Sequence, residues 1–249
     1  MLALASALLV AGCTAPGGAQ GRPTGNPPTT TAPTTATQPA EPLVYAAVGA
    51  SETVGVGADD PQREAWPQVL HDTSLPSSTL VNVGASGATV RGALSGQLPQ
   101  ALAAEPDVVT VWLAVNDLVA GVPADLYERE LGRLVGALSG DGEVEVLVGN
   151  VPDLWRLPVY RACLPGSGVT EVPCLLPSVP SVNQVRVLVG DFNAAIDRVV
   201  SSQGARLVDL SGRRQLAGLT AGDGFHPSTA GHREVAAAFQ RVLERYPPG

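Results

Sequence analysis

The chain has 249 residues and a formal net charge of −8, and all fifteen of its basic residues are arginine. The acidic balance argues against a nucleic-acid partner, which would need clustered Lys and Arg to neutralise phosphate. The absence of lysine excludes a Walker A loop, a pyridoxal Schiff base and a Ser-Lys dyad, because each of these uses the ammonium group.

The first element is an apolar run over residues 2–12, too short to cross a bilayer as a stable helix. It ends in Val10-Ala11-Gly12-Cys13, which resembles a lipobox, the pattern in which small residues precede a cysteine that becomes acylated. Residues 1–13 are accordingly read as a lipoprotein-type signal segment, with acyl chains on Cys13 holding the protein to the outer face of a membrane. One departure is that no Arg or Lys precedes the run. Residues 14–42 are Thr, Pro, Gly and Ala with almost no charge or bulk, and cannot bury a core. Extended as polyproline II, these ~29 residues reach roughly 90 Å, a tether long enough to lift a catalytic domain off the membrane.

A single folded domain is predicted over 43–249. Its aromatic content is low, at 4% of the chain, so its core must be made of Ala, Val and Leu. Short apolar runs of buried-strand type occupy 43–48, 79–83, 108–113, 144–148 and 205–210. Between and after them lie helix-like stretches at 61–71, 90–104, 123–139, 182–202 and 227–246, with Pro123 and Pro227 placed to suit a first helical turn. Strands that alternate with helices and are apolar throughout predict a parallel sheet covered on both faces. The fold class is therefore α/β: a three-layer α/β/α sandwich around a five-stranded parallel sheet, without internal repeats.

In such sheets ligands bind beyond the carboxyl ends of the strands, so the residues just after each strand are where chemistry is sought. Gly49-Ala50-Ser51 follows the first strand, and Gly84-Ala85-Ser86-Gly87 follows the second. Ala114-Val115-Asn116-Asp117 closes the third, and Asp223-Gly224-Phe225-His226-Pro227 lies beyond the fifth. Acyl transfer needs a hydroxyl made nucleophilic by an imidazole, a carboxylate that fixes the imidazole tautomer, and donors aimed at the oxyanion. Ser51, His226 and Asp223 supply the first three. The Asp-x-x-His spacing lets the carboxylate reach Nδ1 while Nε2 faces the serine. The backbone N–H groups of Ser51 and Gly87 and the Asn116 amide are the candidate oxyanion hole, with Gly84 as an alternative glycine in the same loop.

These loops resemble blocks I, II, III and V of the SGNH (GDSL-type) hydrolases, in the family's order and each after the expected strand. The resemblance covers the whole domain and implies a flavodoxin-like SGNH fold. It places the nucleophile on Ser51, the oxyanion residues on Gly87 and Asn116, and the acid and base on Asp223 and His226. Two positions depart from the pattern: the block I aspartate is Ala50 and the block III glycine is Ala114. The function implied is an extracytoplasmic serine esterase acting on short acyl, polysaccharide acyl or lipid esters, without a cofactor. The alternative is a non-catalytic carbohydrate- or lipid-binding lipoprotein on the same fold. A Gly-x-Ser-x-Gly elbow, which an α/β-hydrolase would carry, is absent. A flavodoxin-like cofactor binder is a further rival. The expected partners are a small-molecule or polysaccharide ester, and the membrane through Cys13.

Of the other histidines, His71 closes a helical stretch, where a cation suits the helix dipole, and His232 lies within the last helix, exposed or packed. Asp223, His226 and His232 match no common zinc spacing, so no metal is expected. Asp117 reads as a loop brace and Trp112 as core packing. Cys163 and Cys174 are expected to pair in an oxidising compartment. They sit in a Pro-rich insertion, 152–180, which is either a wall of the active-site pocket, with Trp155, Arg156 and Leu157 at its start, or a stapled surface excursion.

Overall fold

The structure, a computed structural model, describes residues 42–174 and 179–248; Cys13 and residues 14–41 lie outside them. Five strands form one sheet: β1 (Val44–Gly49), β2 (Thr79–Asn82), β3 (Val108–Trp112), β4 (Glu145–Gly149) and β5 (Arg206–Val208). Their order is β2-β1-β3-β4-β5 and every pairing is parallel. All five residues of β3 are buried, as expected of a central strand covered on both faces.

The longer helices are α1 (Trp66–Ser74), α2 (Val90–Ala103), α3 (Ala124–Leu138), α4 (Val182–Gln203) and α5 (Thr229–Leu243). Side chains alternate across the strands and so divide the core in two. Ala46, Val48, Val109 and Val111 pack with α2, α3 and α4, while Tyr45, Ala47, Val108 and Trp112 pack with α1 and α5. The three-layer α/β/α sandwich is therefore present. With so few aromatics, those that exist are concentrated. Trp66 stacks on Phe239 at 4.4 Å and meets Trp112 edge-on at 6.2 Å, which pins α1 and α5 to the sheet.

Helix ends follow local chemistry. Ser181 and Gln184 form a reciprocal capping box at the start of α4, and Gly204 closes that helix in the left-handed conformation. Three helical expectations need correction. The stretch 61–71 is two helices, Pro61–Glu64 and α1, broken at Ala65, which is the N-cap of α1 and places Pro67 in that helix's first turn. Pro123 is the N-cap of α3, not part of its first turn. Pro227 precedes the N-cap of α5, Ser228, whose hydroxyl accepts the Gly231 N–H at 3.4 Å.

The chain leaves β1 toward β2 on one side of the sheet and then crosses to β3 on the other. The switch point therefore falls at the carboxyl end of β1, where a crevice opens in folds of this type.

Candidate active site

Ser51 begins a single helical turn, Ser51–Val54, directly after β1. The end of β1 is held from below by the buried Gln97 of α2. Its side-chain amide donates to the Gly49 carbonyl and accepts the Gly49 N–H, both at 2.9 Å. Two hydrogen bonds to one residue fix the backbone just ahead of the nucleophile, and Ser51 is itself only 9% exposed.

From the far end of the chain, His226 places Nε2 3.0 Å from Ser51 Oγ, and its Nδ1 lies 2.6 Å from Asp223 Oδ2. The three-residue spacing works because Asp223 uses both carboxylate oxygens. Oδ1 accepts the N–H groups of Phe225 and His226 at 2.9 and 3.0 Å, folding the loop so that Oδ2 faces the ring. A carboxylate acceptor at Nδ1 keeps the proton there and leaves the Nε2 lone pair toward the serine hydroxyl. Partial burial alone would raise the Asp223 carboxyl, but the His226 ring and the two backbone donors carry it below its ordinary value. It therefore stays a charged acceptor at neutral pH.

The candidate donors differ in what already claims their protons. The N–H groups of Ser51 and Gly87 have no acceptor among the described residues. The Asn116 amide donates to the Ala88 carbonyl at 2.9 Å, which orients the group and leaves its second N–H available. The alternative, Gly84, has its N–H bonded to Asn82 Oδ1 at 3.0 Å and is already spent. Gly87 has a φ of +76°, a conformation that glycine adopts without strain.

Asp117 does brace the loop. It is 1% exposed, and its carboxylate accepts the Val90 N–H at the start of α2 at 3.1–3.2 Å. Burial pushes its carboxyl up to about 6, with the Glu130 charge adding to the rise and the Val90 N–H opposing it. A carboxyl raised in the fold favours folding below its unfolded value near 4, and that advantage is lost as pH climbs through about 6. Asp117→Asn keeps the acceptor and removes the charge. The stability of the variant relative to the parent, measured by urea unfolding, is therefore expected to improve by up to about 3 kcal/mol between pH 4 and 7.

The two departures from the family pattern fit their surroundings. Ala50 and Ala114 are each 5% exposed, and Ala114 has an extended φ of 171° that any residue adopts. The loop lacks a carboxyl at position 50 yet carries one two residues later. Glu52 lies beside the nucleophile, its Oε2 3.4 Å from Ser51 Oγ. Burial pushes the Glu52 carboxyl up, against the pull of its own backbone N–H, His226 and the Ser51 hydroxyl. At 3.4 Å it is a weaker acceptor than His226 at 3.0 Å, so the serine proton belongs to the imidazole. Sequence reasoning missed Glu52. The available signal was an acidic residue next to the candidate nucleophile, which reads equally well as first-turn helix chemistry.

Next to Glu52 lies a small pocket of about 40 Å³, lined also by Trp112, Val115, Leu154, Leu157, Phe225 and Pro227. Glu52, Phe225 and Pro227 are chain neighbours of Ser51 and His226, which do not themselves line it. Trp112 is thus a pocket wall as well as a core residue; its indole N–H donates to the Asn150 carbonyl at 3.3 Å. The insertion supplies Pro152, Asp153, Leu154 and Leu157 to this pocket, and its Val159 N–H bonds the Gly224 carbonyl at 3.1 Å. Of the three residues expected at the wall, Leu157 lines this pocket, whereas Trp155 and Arg156 line a different one. Cys163 and Cys174 are joined by a disulfide across it.

The remaining histidines take no part in this array. His71 bonds Asp72 and the Ser78 carbonyl. His232 is fully buried, accepting the Trp66 N–H at 3.2 Å and reaching the Val56 carbonyl at 3.1 Å. It ties α5 to the segment that ends in Gly57. Gly57 has a φ of +98°, and a Cβ there would lie 2.3 Å from the Pro227 carbonyl and 3.0 Å from His226 Cβ. Gly57→Ala is therefore expected to cost about 2 kcal/mol or more and to displace His226 from Ser51. Thermal unfolding and turnover measured together should both fall; an unchanged rate would show that the His226 loop does not depend on this contact.

The chain matches the model of the GDSL-like lipase/acylhydrolase family over residues 47–234. It is 28% identical over 101 residues to an arylesterase of Vibrio mimicus, a match covering 39% of this chain and half the length of that relative. Among solved structures it resembles TesA, with a TM-score of 0.61 at 20% identity over 82% of this chain and 99% of that one. The psychrotrophic esterase EstA from Pseudoalteromonas sp. aligns with a TM-score of 0.59 at 19% identity, over 82% and 97% of the two chains. A Clostridium thermocellum family 3 carbohydrate esterase gives 0.57 at 16% identity, over 83% and 99%. At these identities the structural likenesses speak to the fold, while the family match spans most of the chain. With the five-stranded parallel sheet and the residues gathered at its switch point, it identifies the chain as a member of the GDSL-like lipase/acylhydrolase family.

Proposed function

We propose that the protein is a serine carboxyl-ester hydrolase of short acyl esters, in which Ser51 attacks, His226 serves as base and then acid, and Asp223 holds the imidazole. The observation that carries this reading is the continuous relay from Asp223 through His226 to Ser51 Oγ at 2.6 and 3.0 Å. Three candidate donors support it: the Ser51 and Gly87 N–H groups, which have no acceptor among the described residues, and the second N–H of the Asn116 amide, whose first is spent on Ala88. His226 takes the Ser51 proton as Oγ adds to the ester carbonyl, and the donors receive the oxyanion. The same imidazole then protonates the departing alcohol, and water repeats the sequence on the acyl-enzyme.

A short acyl group is supported by the small size of the pocket next to Glu52, which has the Glu52 carboxyl among its walls. A long apolar chain there would lie against a carboxyl that burial already leaves poorly solvated. Hydrolysis of 4-nitrophenyl acetate, butyrate and octanoate by the protein and its Ser51→Ala variant tests the proposal. Activity confined to the parent and greatest for acetate is expected. No hydrolysis of any of the esters would favour the non-catalytic binder. Glu52→Leu is expected to raise the octanoate-to-acetate ratio of kcat/KM by roughly tenfold, since each methylene then buries against apolar surface.

The setting is part of the proposal. Acylation at Cys13 and a Pro/Thr-rich tether would place this hydrolase on the outer side of a membrane, where carbohydrate-bound acyl groups are among its candidate substrates. A Cys13→Ser variant that still fractionated with membranes in the native host would refute the anchor.

A further inference from the structure

A second, wider pocket of about 540 Å³ lies immediately behind the active-site wall. In a chain of net charge −8, four of the fifteen arginines line it: Arg156, Arg161, Arg186 and Arg214. Arg156 is held by Asp153 at 2.8 Å and Arg186 lies over the Trp155 ring at 5.3 Å. Arg161 and Arg214 have no acidic partner among the described residues, and one acid, Glu171, opposes the group from the same lining. An acidic protein gains nothing in stability from gathering unpaired cations. Arginines so placed suit a carboxylate, which a guanidinium receives through two parallel N–H bonds.

The two pockets share their wall. On the turn Leu154–Arg156 and just past it, Leu154 and Leu157 line the first pocket, while Trp155 and Arg156 line the second. On the segment Arg214–Gly218, Leu216 lines the first pocket, Arg214 and Gly218 line the second, and Ala217 touches both. A substrate can thus place an acyl ester at Ser51 while its body passes over this wall. The second pocket is open and more polar than the first, which suits a hydrated sugar chain better than an acyl tail.

We propose that this arginine pocket binds a carboxylate of the substrate, making the protein an esterase of O-acylated acidic saccharides. The proposal rests on the serine-esterase reading above, and its test separates the two. The full-length protein and an Arg161→Gln/Arg214→Gln variant are assayed on 4-nitrophenyl acetate, acetylated xylan and acetylated polygalacturonate. The parent is expected to prefer the acidic polymer. The variant should lose that preference through a rise in KM of about tenfold, with kcat and 4-nitrophenyl acetate hydrolysis unchanged. Hydrolysis of 4-nitrophenyl acetate without any preference for the acidic polymer, or a preference the variant retains, overturns the carboxylate pocket and leaves the esterase intact. Absence of hydrolysis on all three overturns the esterase reading. Calorimetry of the Ser51→Ala protein with oligogalacturonate reports the pocket independently of turnover: binding that the arginine substitutions abolish is expected. Binding to anionic phosphatidylglycerol vesicles in place of the oligosaccharide overturns the saccharide assignment.

Discussion

Ser51→Ala is expected to lower kcat by a factor on the order of 10⁶, with KM for a short ester little changed. The reason is geometric. Ser51 Oγ is the atom that donates to His226 Nε2, and no other hydroxyl bonds that nitrogen among the described residues. His226→Ala removes the base for the same attack and should cost about as much. The double variant should be scarcely worse than either single one, because neither group acts without the other. Rates that fell by the product of the two single effects would show that the residues act separately, and a Ser51→Ala protein with near-parental rates would end the proposed mechanism. The hydroxyl has only His226 and Glu52 as partners among the described residues, so thermal unfolding of Ser51→Ala should remain close to that of the parent.

The second large effect is expected at Asn116. One amide N–H is anchored on the Ala88 carbonyl at 2.9 Å, which aims the other without any rearrangement during reaction. A donor preorganised in this way serves the transition state and not the ground-state carbonyl. Asn116→Ala should therefore lower kcat by roughly 10²–10³ and leave KM nearly unchanged. Asn116→Asp, almost the same shape, should be at least as damaging, because it replaces a donor with a charge that repels the oxyanion. A loss appearing mainly in KM would instead assign Asn116 to substrate binding.

The sheet was legible in the sequence because buried parallel strands are short, uniformly apolar runs. Val108 to Trp112 offers no alternative reading as a half-exposed strand or an amphipathic helix. The helix boundaries were less so. Pro67 within 61–71 was the available sign of a new first turn, and the break at Ala65 also buries Trp66 against Phe239, which no local pattern shows. Ser51, Asn116, Asp223 and His226 stood out because each follows a strand with the residue type that acyl transfer requires, and the Asp-x-x-His spacing is closed by its own backbone hydrogen bonds. Local chemistry of this kind survives in one dimension.

Other features exist only after folding. The choice between Gly84 and Gly87 turned on a single hydrogen bond from Gly84 to Asn82. His232 is buried because α5 lays it against the Trp66 and Val56 backbones, 166 and 176 residues away in sequence. Glu52 lines a pocket together with Leu154 and Leu157 of the insertion after β4, and four arginines scattered between positions 156 and 214 gather in a second pocket that shares Ala217 with the first. Residue type and position along the chain were enough to say which groups could attack or relay a proton. Which of them meet, and what surrounds them, was left to the folded molecule, because distance, burial and the local dielectric are set by packing between segments far apart in the chain.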